Sequence, residues 1–279
     1  MGAAVSDHPE IYRLTEYLAQ QQINFSIASL RADRLDEGLV KALAASGQRT
    51  LTVAPEAGSK RMRDSINKGI TEEHIYNAIE LAAAAGMHSI KVYYMVGLPG
   101  EEDQDIQEMV DMILRLRAKM NEAGNRGELV VSVNGFVPKP FTPYQWAPLC
   151  DLKTLKRRFK MLNDGLKKDR KIKLITESLK ETVIQAVLAR GDRKIGEALL
   201  EAHCSGQNLK TVLKQQGIDM EALAERTLPT DAVLPWSHID IGVRPDYLLK
   251  ELQRSEKGQL TPVCFDGCQR CGVCASPNR

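Results

Sequence analysis

The chain has 279 residues, 43% of them hydrophobic and 5% aromatic, with a formal net charge of +2 at pH 7. That is enough chain to bury a substantial core in one large domain, or in a domain with an appendage. The small net charge names no partner and argues for neither a nucleic-acid coat nor an acidic-substrate trap, and no apolar run approaches the length of a membrane span.

The opening residues Met1 to Asp7 have no basic stretch followed by an apolar one, so no signal peptide is expected. Ser6 fits a myristoylation pattern after Met1-Gly2, but no second anchor follows. The expected compartment is cytoplasmic. Of six cysteines, four lie in the last sixteen residues, and Cys150 and Cys204 stand alone. In a reducing cytosol such crowding points to a metal or cluster site rather than to disulfides.

In chain order, Asp7 and Glu10 resemble a capping box. Ile11, Leu14 and Leu18 then share a helical face, predicting a helix to about Gln22. Residues 23–30 (INFSIASL) read as a short strand. Residues 35–45 read as a helix stopped by Gly47, and 49–54 (RTLTVA) as the next strand. A short helix over 59–67 ends at Gly69. Thr71 caps another, with Ile75, Ile79 and Ala82 inward, which stops at Gly86. Residues 89–96 (SIKVYYMV) form a strongly β-prone strand that runs into Gly97-Leu98-Pro99-Gly100. A long helix follows with Ile106, Met109, Ile113, Leu116 and Met120 as its apolar stripe, and then a strand over 129–137.

This alternation predicts parallel βα units, in an open doubly wound sheet or in part of a βα barrel. Four prolines between 138 and 148 mark an extended connection. A basic amphipathic helix is expected from Leu152 to about Lys168, one more strand over 171–176, and two or three short helices from Ser178 to about Gln216, with Asp192 as a cap. From Pro229 the chain is rich in turns. The expected units are therefore 1–150, a helical region over 151–228 and a cysteine-bearing tail over 229–279.

Three motifs can carry chemistry. Cys264, Cys268, Cys271 and Cys274 are spaced to converge on a tetrahedral zinc or an iron–sulfur cluster, and Gly267 and Gly272 permit the tight backbone. Gly97 to Gly100 lies at a strand's C-terminal end, where parallel α/β folds bind ligands; it is either an adenine-approach turn or a plain βα loop. Residues 53–59 (VAPEAGS) end another strand in a polar loop. Glu56 can accept from ribose hydroxyls, and Ser59 is a cap or a ligand contact. Arg61, Arg63 and Lys68 follow, and one of them can pair with an anion. Arg31 and Asp33, at the first strand's end, face the same pocket or pair with each other. Residues 152–173 hold ten Lys or Arg, which suits either a solvated helix face or RNA phosphates.

Taken together, APEAGS, RMRDSINKGITEEHI, IKVYYMVGLPGEEDQDI, FVPKPFTPYQW, LARGDRKIGEALLEA, LPWSHIDIGV and TPVCFDGCQRCGVC resemble the radical S-adenosylmethionine (radical SAM) superfamily. The nearest resemblance is to the methylthiotransferase-like branch that often carries an N-terminal B12-binding domain. The resemblance implies a partial TIM-like (β/α) barrel, S-adenosylmethionine, a [4Fe–4S] cluster, 5′-deoxyadenosyl-radical chemistry and, in a longer protein, cobalamin. It assigns Glu56, Ser59 and Arg63 to the ribose and methionyl side, Gly97 and Gly100 to the adenine side and Val137 to a backbone contact. Arg31 faces cofactor or substrate. The family's Cys-x3-Cys-x2-Cys loop follows the first barrel strand; here the Ser6-Asp7 region resembles the end of the second, so that loop is expected to be missing. Cys264, Cys268 and Cys271 have the same gaps but follow the barrel, which makes them an auxiliary iron–sulfur or zinc site together with Cys274. Three readings stay open. The chain is an enzyme inactive without further N-terminal sequence, a split enzyme with a complementing chain, or a non-catalytic metal-binding module for RNA or protein.

Overall fold

A computed structural model of the chain describes residues 8–265 and 267–275. Asp7, the expected first cap, lies outside them. The chain begins with α1 (Ile11–Gln20), a short 3-10 turn (Ala32–Arg34) and α2 (Glu37–Ala45). The α/β layer then runs β1 (Thr50–Glu56), α3 (Lys60–Ser65), α4 (Glu72–Ala84), β2 (Ser89–Val96), α5 (Asp103–Glu122), β3 (Leu129–Gly135), α6 (Leu152–Leu166) and β4 (Ile172–Thr176). Five helices follow: α7 (Leu179–Arg190), α8 (Arg193–Ser205), α9 (Leu209–Gln215), α10 (Met220–Glu225) and α11 (Pro245–Glu256).

All strand pairs are parallel and the spatial order is β1-β2-β3-β4. Val53, Val92, Val131 and Leu174 form one cross-sheet row and Thr52, Lys91, Val130 and Lys173 the next. Sequential order decides what periodicity left open. A doubly wound sheet reverses its order and takes helices on both faces, whereas this sheet is wound in one direction, as in a barrel. Leu51, Val53, Ile90, Val92, Tyr94, Val96, Leu129, Val131 and Val133 share one core with the apolar faces of α4, α5 and α6. The alternate positions Lys91, Tyr93 and Asn134 are not buried. The architecture is α/β, a partial (β/α) barrel of four parallel strands. Leu155, Leu162, Leu166 and Ile172 belong to this core, so the α/β layer continues past residue 150 to the end of β4.

Local signals account for most boundaries. Asp36, Ser59, Asp151 and Ser178 each accept a backbone N–H at a helix start. Thr71 and His74 reciprocate across the start of α4. All five residues of the predicted α5 stripe are buried.

Three expectations change. Residues 23–30 form no ladder; apart from the Leu30–Val53 bridge they are extended chain. Side chains replace the ladder there, since Ser46 bonds the Phe25 backbone and Gln48 bonds Ile27. On α1 the expected stripe is only partly used: Ile11 is buried but Leu14 is 49% exposed, with Tyr12 and Tyr17 exposed beside it. The tail is not all turns. It contains α11, which buries Leu248 among Trp146, Leu228, Leu234 and Trp236. Pro245 at its first turn is the start signal, which the surrounding turn residues obscured. No helix among the described residues is long and apolar enough to cross a membrane.

Candidate functional site

The site begins with an irregularity in β1. Val53 pairs with Val92 and Glu56 with Tyr94, so three steps on β1 match two on β2. Such a bulge re-aims the chain and accommodates Pro55, which has no N–H to give a ladder. Glu56 takes φ +69, a left-handed conformation that costs a non-glycine residue about 1–3 kcal/mol. Strain of this size gathers where a side chain must be aimed. Here the Glu56 carboxylate meets Lys68 Nζ at 3.3 Å at the strand's C-terminal end.

The next turn is a fixed support. A Cβ on Gly58 would lie 2.2 Å from Met109, so the loop presses against α5. Ser59 caps α3 and donates to Asp105 Oδ1 at 2.7 Å. Burial pushes the Asp105 carboxyl up, but Ser59, the Glu102 N–H and Arg61 together hold it below its ordinary value. Arg63 is buried and donates to the carbonyls of Ile70 and Gly58. Ser59 and Arg63, both assigned to the site from sequence, thus brace the Glu56 loop from beneath.

Glu56 and Val137 come together. Two adjoining cavities, of about 340 and 460 Å³, both have Glu56, Met95, Phe136, Val137 and Lys139 in their walls. One opens toward α3 and α11, past Tyr144 and Thr261; the other extends over the sheet to Asn134 and Glu177. Phe136 and Tyr144 pack edge to face with centroids 5.4 Å apart. The Tyr144 hydroxyl joins those of Ser65 and Ser255 in a closed cluster, tying α3 to α11. Apolar walls of this size beside a carboxylate can hold a flat heteroaromatic ring and accept from the hydroxyls attached to it. Met95, Lys139, Tyr144 and the contribution of α11 were missed from sequence; the FVPKPFTPYQW motif contains Phe136, Lys139 and Tyr144, but nothing in the sequence shows where they meet.

Gly97 and Gly100 lie elsewhere. Gly97 has φ +93, and a Cβ there would stand 2.7 Å from Leu155 and 3.0 Å from Cys150, on the α6 side. Its N–H donates to Glu101 Oε2 at 2.6 Å, and the same oxygen accepts from Arg158 at 3.0 Å. Burial pushes Glu101 up to about 7 despite the Gly97 N–H and Arg158, and its Oε1 has no hydrogen-bond partner among the described residues. Gly100 accepts from Arg61 at 3.0 Å. The turn therefore locks α5 to α6, while its neighbours Met95 and Leu98 reach the cleft. Arg157 and Arg158 are committed to Asp103 and Glu101, so part of the basic run of α6 is spent internally.

Arg31 pairs with Asp33 at 2.9 Å. Both line a third cavity with Lys68, Cys264, Cys268, Arg270 and Cys271. Arg270 Nε donates to Cys268 Sγ at 3.2 Å and holds that thiol below its usual range. Among the described residues no three His, Cys, Asp or Glu side chains are already gathered as ligands of one ion.

Residues 1–113, which contain β1, β2 and the Glu56 loop, match the Radical SAM superfamily. Over that stretch the chain is similar to proteins of the radical SAM superfamily. It is 36% identical over 199 residues to an uncharacterised protein of Methanocaldococcus jannaschii, a match spanning 71% of this chain and 42% of that one. A tRNA-2-methylthio-N(6)-dimethylallyladenosine synthase of Desulforamulus reducens is 36% identical over 63 residues, 22% of this chain and 14% of the synthase. An uncharacterised methyltransferase of Pyrococcus horikoshii is 27% identical over 89 residues, 32% of this chain and 19% of the methyltransferase. The matches span less than half the length of each of these relatives.

Similarity to the radical SAM superfamily implies S-adenosylmethionine and a [4Fe–4S] cluster. The walls of the cleft suit the nucleoside part of the first. They do not suit the cluster: among the described residues no cysteine lines either cavity, and Cys150 sits beside Gly97 on the α6 side, its thiol pushed up to about 11 by burial.

Proposed function

We propose that this chain supplies the S-adenosylmethionine-binding side of a radical SAM enzyme of the methylthiotransferase-like branch. The observation that carries the proposal is the aimed Glu56. A bulge and a left-handed backbone set its carboxylate at the edge of a cleft walled by Met95, Phe136 and Val137. In this reading the adenine lies against the apolar walls. Glu56 accepts from the ribose hydroxyls, Lys68 pairs with the Glu56 carboxylate, and Ser59 and Arg63 keep the loop in place. Tyr144, Ser65 and Ser255 shut off one side from water. With its cluster bound, S-adenosylmethionine is the family's source of a 5′-deoxyadenosyl radical. Since no cysteine among the described residues lines either cavity of the cleft, the residues lining it orient the nucleoside and exclude solvent. The branch resemblance extends the proposal to cobalamin in a longer protein, without assigning it a residue here.

Calorimetric titration of the chain with S-adenosylmethionine tests the reading. Saturable binding that Glu56→Gln weakens about tenfold, the loss of a hydrogen bond to a charged group, supports it. Equal affinity in both proteins, or no binding at millimolar ligand, overturns it. Because no cysteine among the described residues lines the two cavities of the cleft, anaerobic incubation of this chain alone with reductant is expected to give little or no 5′-deoxyadenosine by chromatography.

A further inference from the structure

The described residues beyond α11 do not hang free. Thr261 N–H donates to Asn67 Oδ1 at 2.9 Å, and the Thr261 hydroxyl bonds Glu251 of α11. Arg270 donates to the Val263 carbonyl at 2.8 Å, closing a loop on itself. Arg244, just before α11, grips that loop twice: its backbone N–H donates to the Cys271 carbonyl and its guanidinium to the Arg270 carbonyl, both at 2.8 Å. Gly272, with φ +94, lies so close over Arg244 that a Cβ would come within 2.8 Å of Arg244 Cγ. A segment bearing four thiols is thus folded, anchored and fitted with glycines at its two tight turns.

Within it Cys268 is 3% exposed, and Cys264 lines a cavity with it. Cys271 lines the same cavity of about 540 Å³, and Cys274 stands in the short turn that follows. Three thiols share the walls of one cavity and the fourth follows in the next turn, short of a completed ligand set. We infer that Cys264, Cys268, Cys271 and Cys274 close on one thiolate-bound metal centre, zinc or iron–sulfur, and that this centre forms part of the mouth of the cleft.

The donor chemistry supports the first half. Four thiolates suit zinc or an iron–sulfur cluster and little else. Such a centre carries net negative charge, and Arg31, Lys68 and Arg270 stand in the walls around it. The second half rests on the cleft reading above. Asn67, Lys68 and Thr261 line both the cysteine cavity and the cleft, so the two share a wall, and Lys68 is also the partner of Glu56. Closing the thiols on a metal fixes the loop carrying Thr261 and hence that wall.

The test uses the full chain purified anaerobically, with zinc, iron and sulfide measured against protein and native thiols counted by maleimide labelling. The inference expects one centre per chain, protection of the four tail thiols, loss of both in Cys268→Ala and Cys271→Ala, and retention of both in Cys204→Ala. Zinc without sulfide identifies a zinc site, and iron with sulfide a cluster. Folded, metal-free protein whose four tail thiols label as fast as exposed Cys204 overturns the inference. Should the cysteine variants fail to fold, chelator-stripped and reloaded wild type serve instead, with circular dichroism as the check. For the shared wall, affinity for S-adenosylmethionine is expected to differ about fivefold or more between loaded and stripped protein; identical affinities overturn that half. Glu56→Gln is expected to leave the metal content unchanged. A chain that holds metal but never binds S-adenosylmethionine defeats the cleft reading alone.

Discussion

The two faces of the sheet differ sharply. On one, Ile90, Val92, Tyr94 and Val96 of β2 are sealed under helices; on the other, Lys91, Tyr93 and Met95 are half-buried and polar groups recur along β3 and β4. The first face carries the stability, because apolar area removed from water and close packing act there. The second, with the cleft above it, carries chemistry, where aimed polar groups matter more than packing. Energetic perturbations should therefore separate by face.

The largest effect is expected at Arg158, whose pair with Glu101 is buried where α6 meets the start of α5. Arg158→Met should cost about 3–5 kcal/mol in urea unfolding at pH 8, because it strands a buried carboxylate. At pH 5.5 the cost should shrink, as Glu101, pushed up to about 7, then takes a proton. Next comes Ile113→Ala, which removes a fully buried side chain on the helix face and should cost about 2–5 kcal/mol. Ser59→Ala removes both a cap and the bond to Asp105, and about 1–2 kcal/mol is expected by the same measurement.

A smaller effect concerns pH alone. The Glu101 value is raised by folding, so its contribution to stability is full below the unfolded value and is lost as pH rises through about 7. Glu101→Gln should flatten the melting-temperature profile between pH 5 and pH 8; an unchanged slope would place the titration elsewhere. Least of all, Asn134→Ala on the uncovered face should stay within about 0.5 kcal/mol of the parent. A cost comparable to that of Ile113→Ala would erase the distinction between the faces.

The same contrast explains what was legible in the sequence. Helix faces and strands that bury against one another leave a period, so β2 and the α5 stripe were readable residue by residue. Residues 23–30 have the composition of a strand, yet their partners are the side chains of Ser46 and Gln48, which no propensity encodes. At the site, VAPEAGS marked the loop but not its division of labour: Glu56 faces the cleft while Ser59 and Arg63 face inward. Gly97 announced a left-handed turn, but whether the space it frees belongs to a ligand or to Leu155 depends on a helix 55 residues further on. The contribution of Tyr144 and Ser255 was invisible, because it exists only once α11 folds back onto α3.

Amide hydrogen exchange with and without S-adenosylmethionine tests the central claim most directly, since it reports where the ligand lies as well as whether it binds. The account predicts slowed exchange in three segments distant in sequence, 54–58, 94–98 and 134–139, with α1 and α8 unchanged. Protection confined to other segments, or none at saturating ligand, would contradict it.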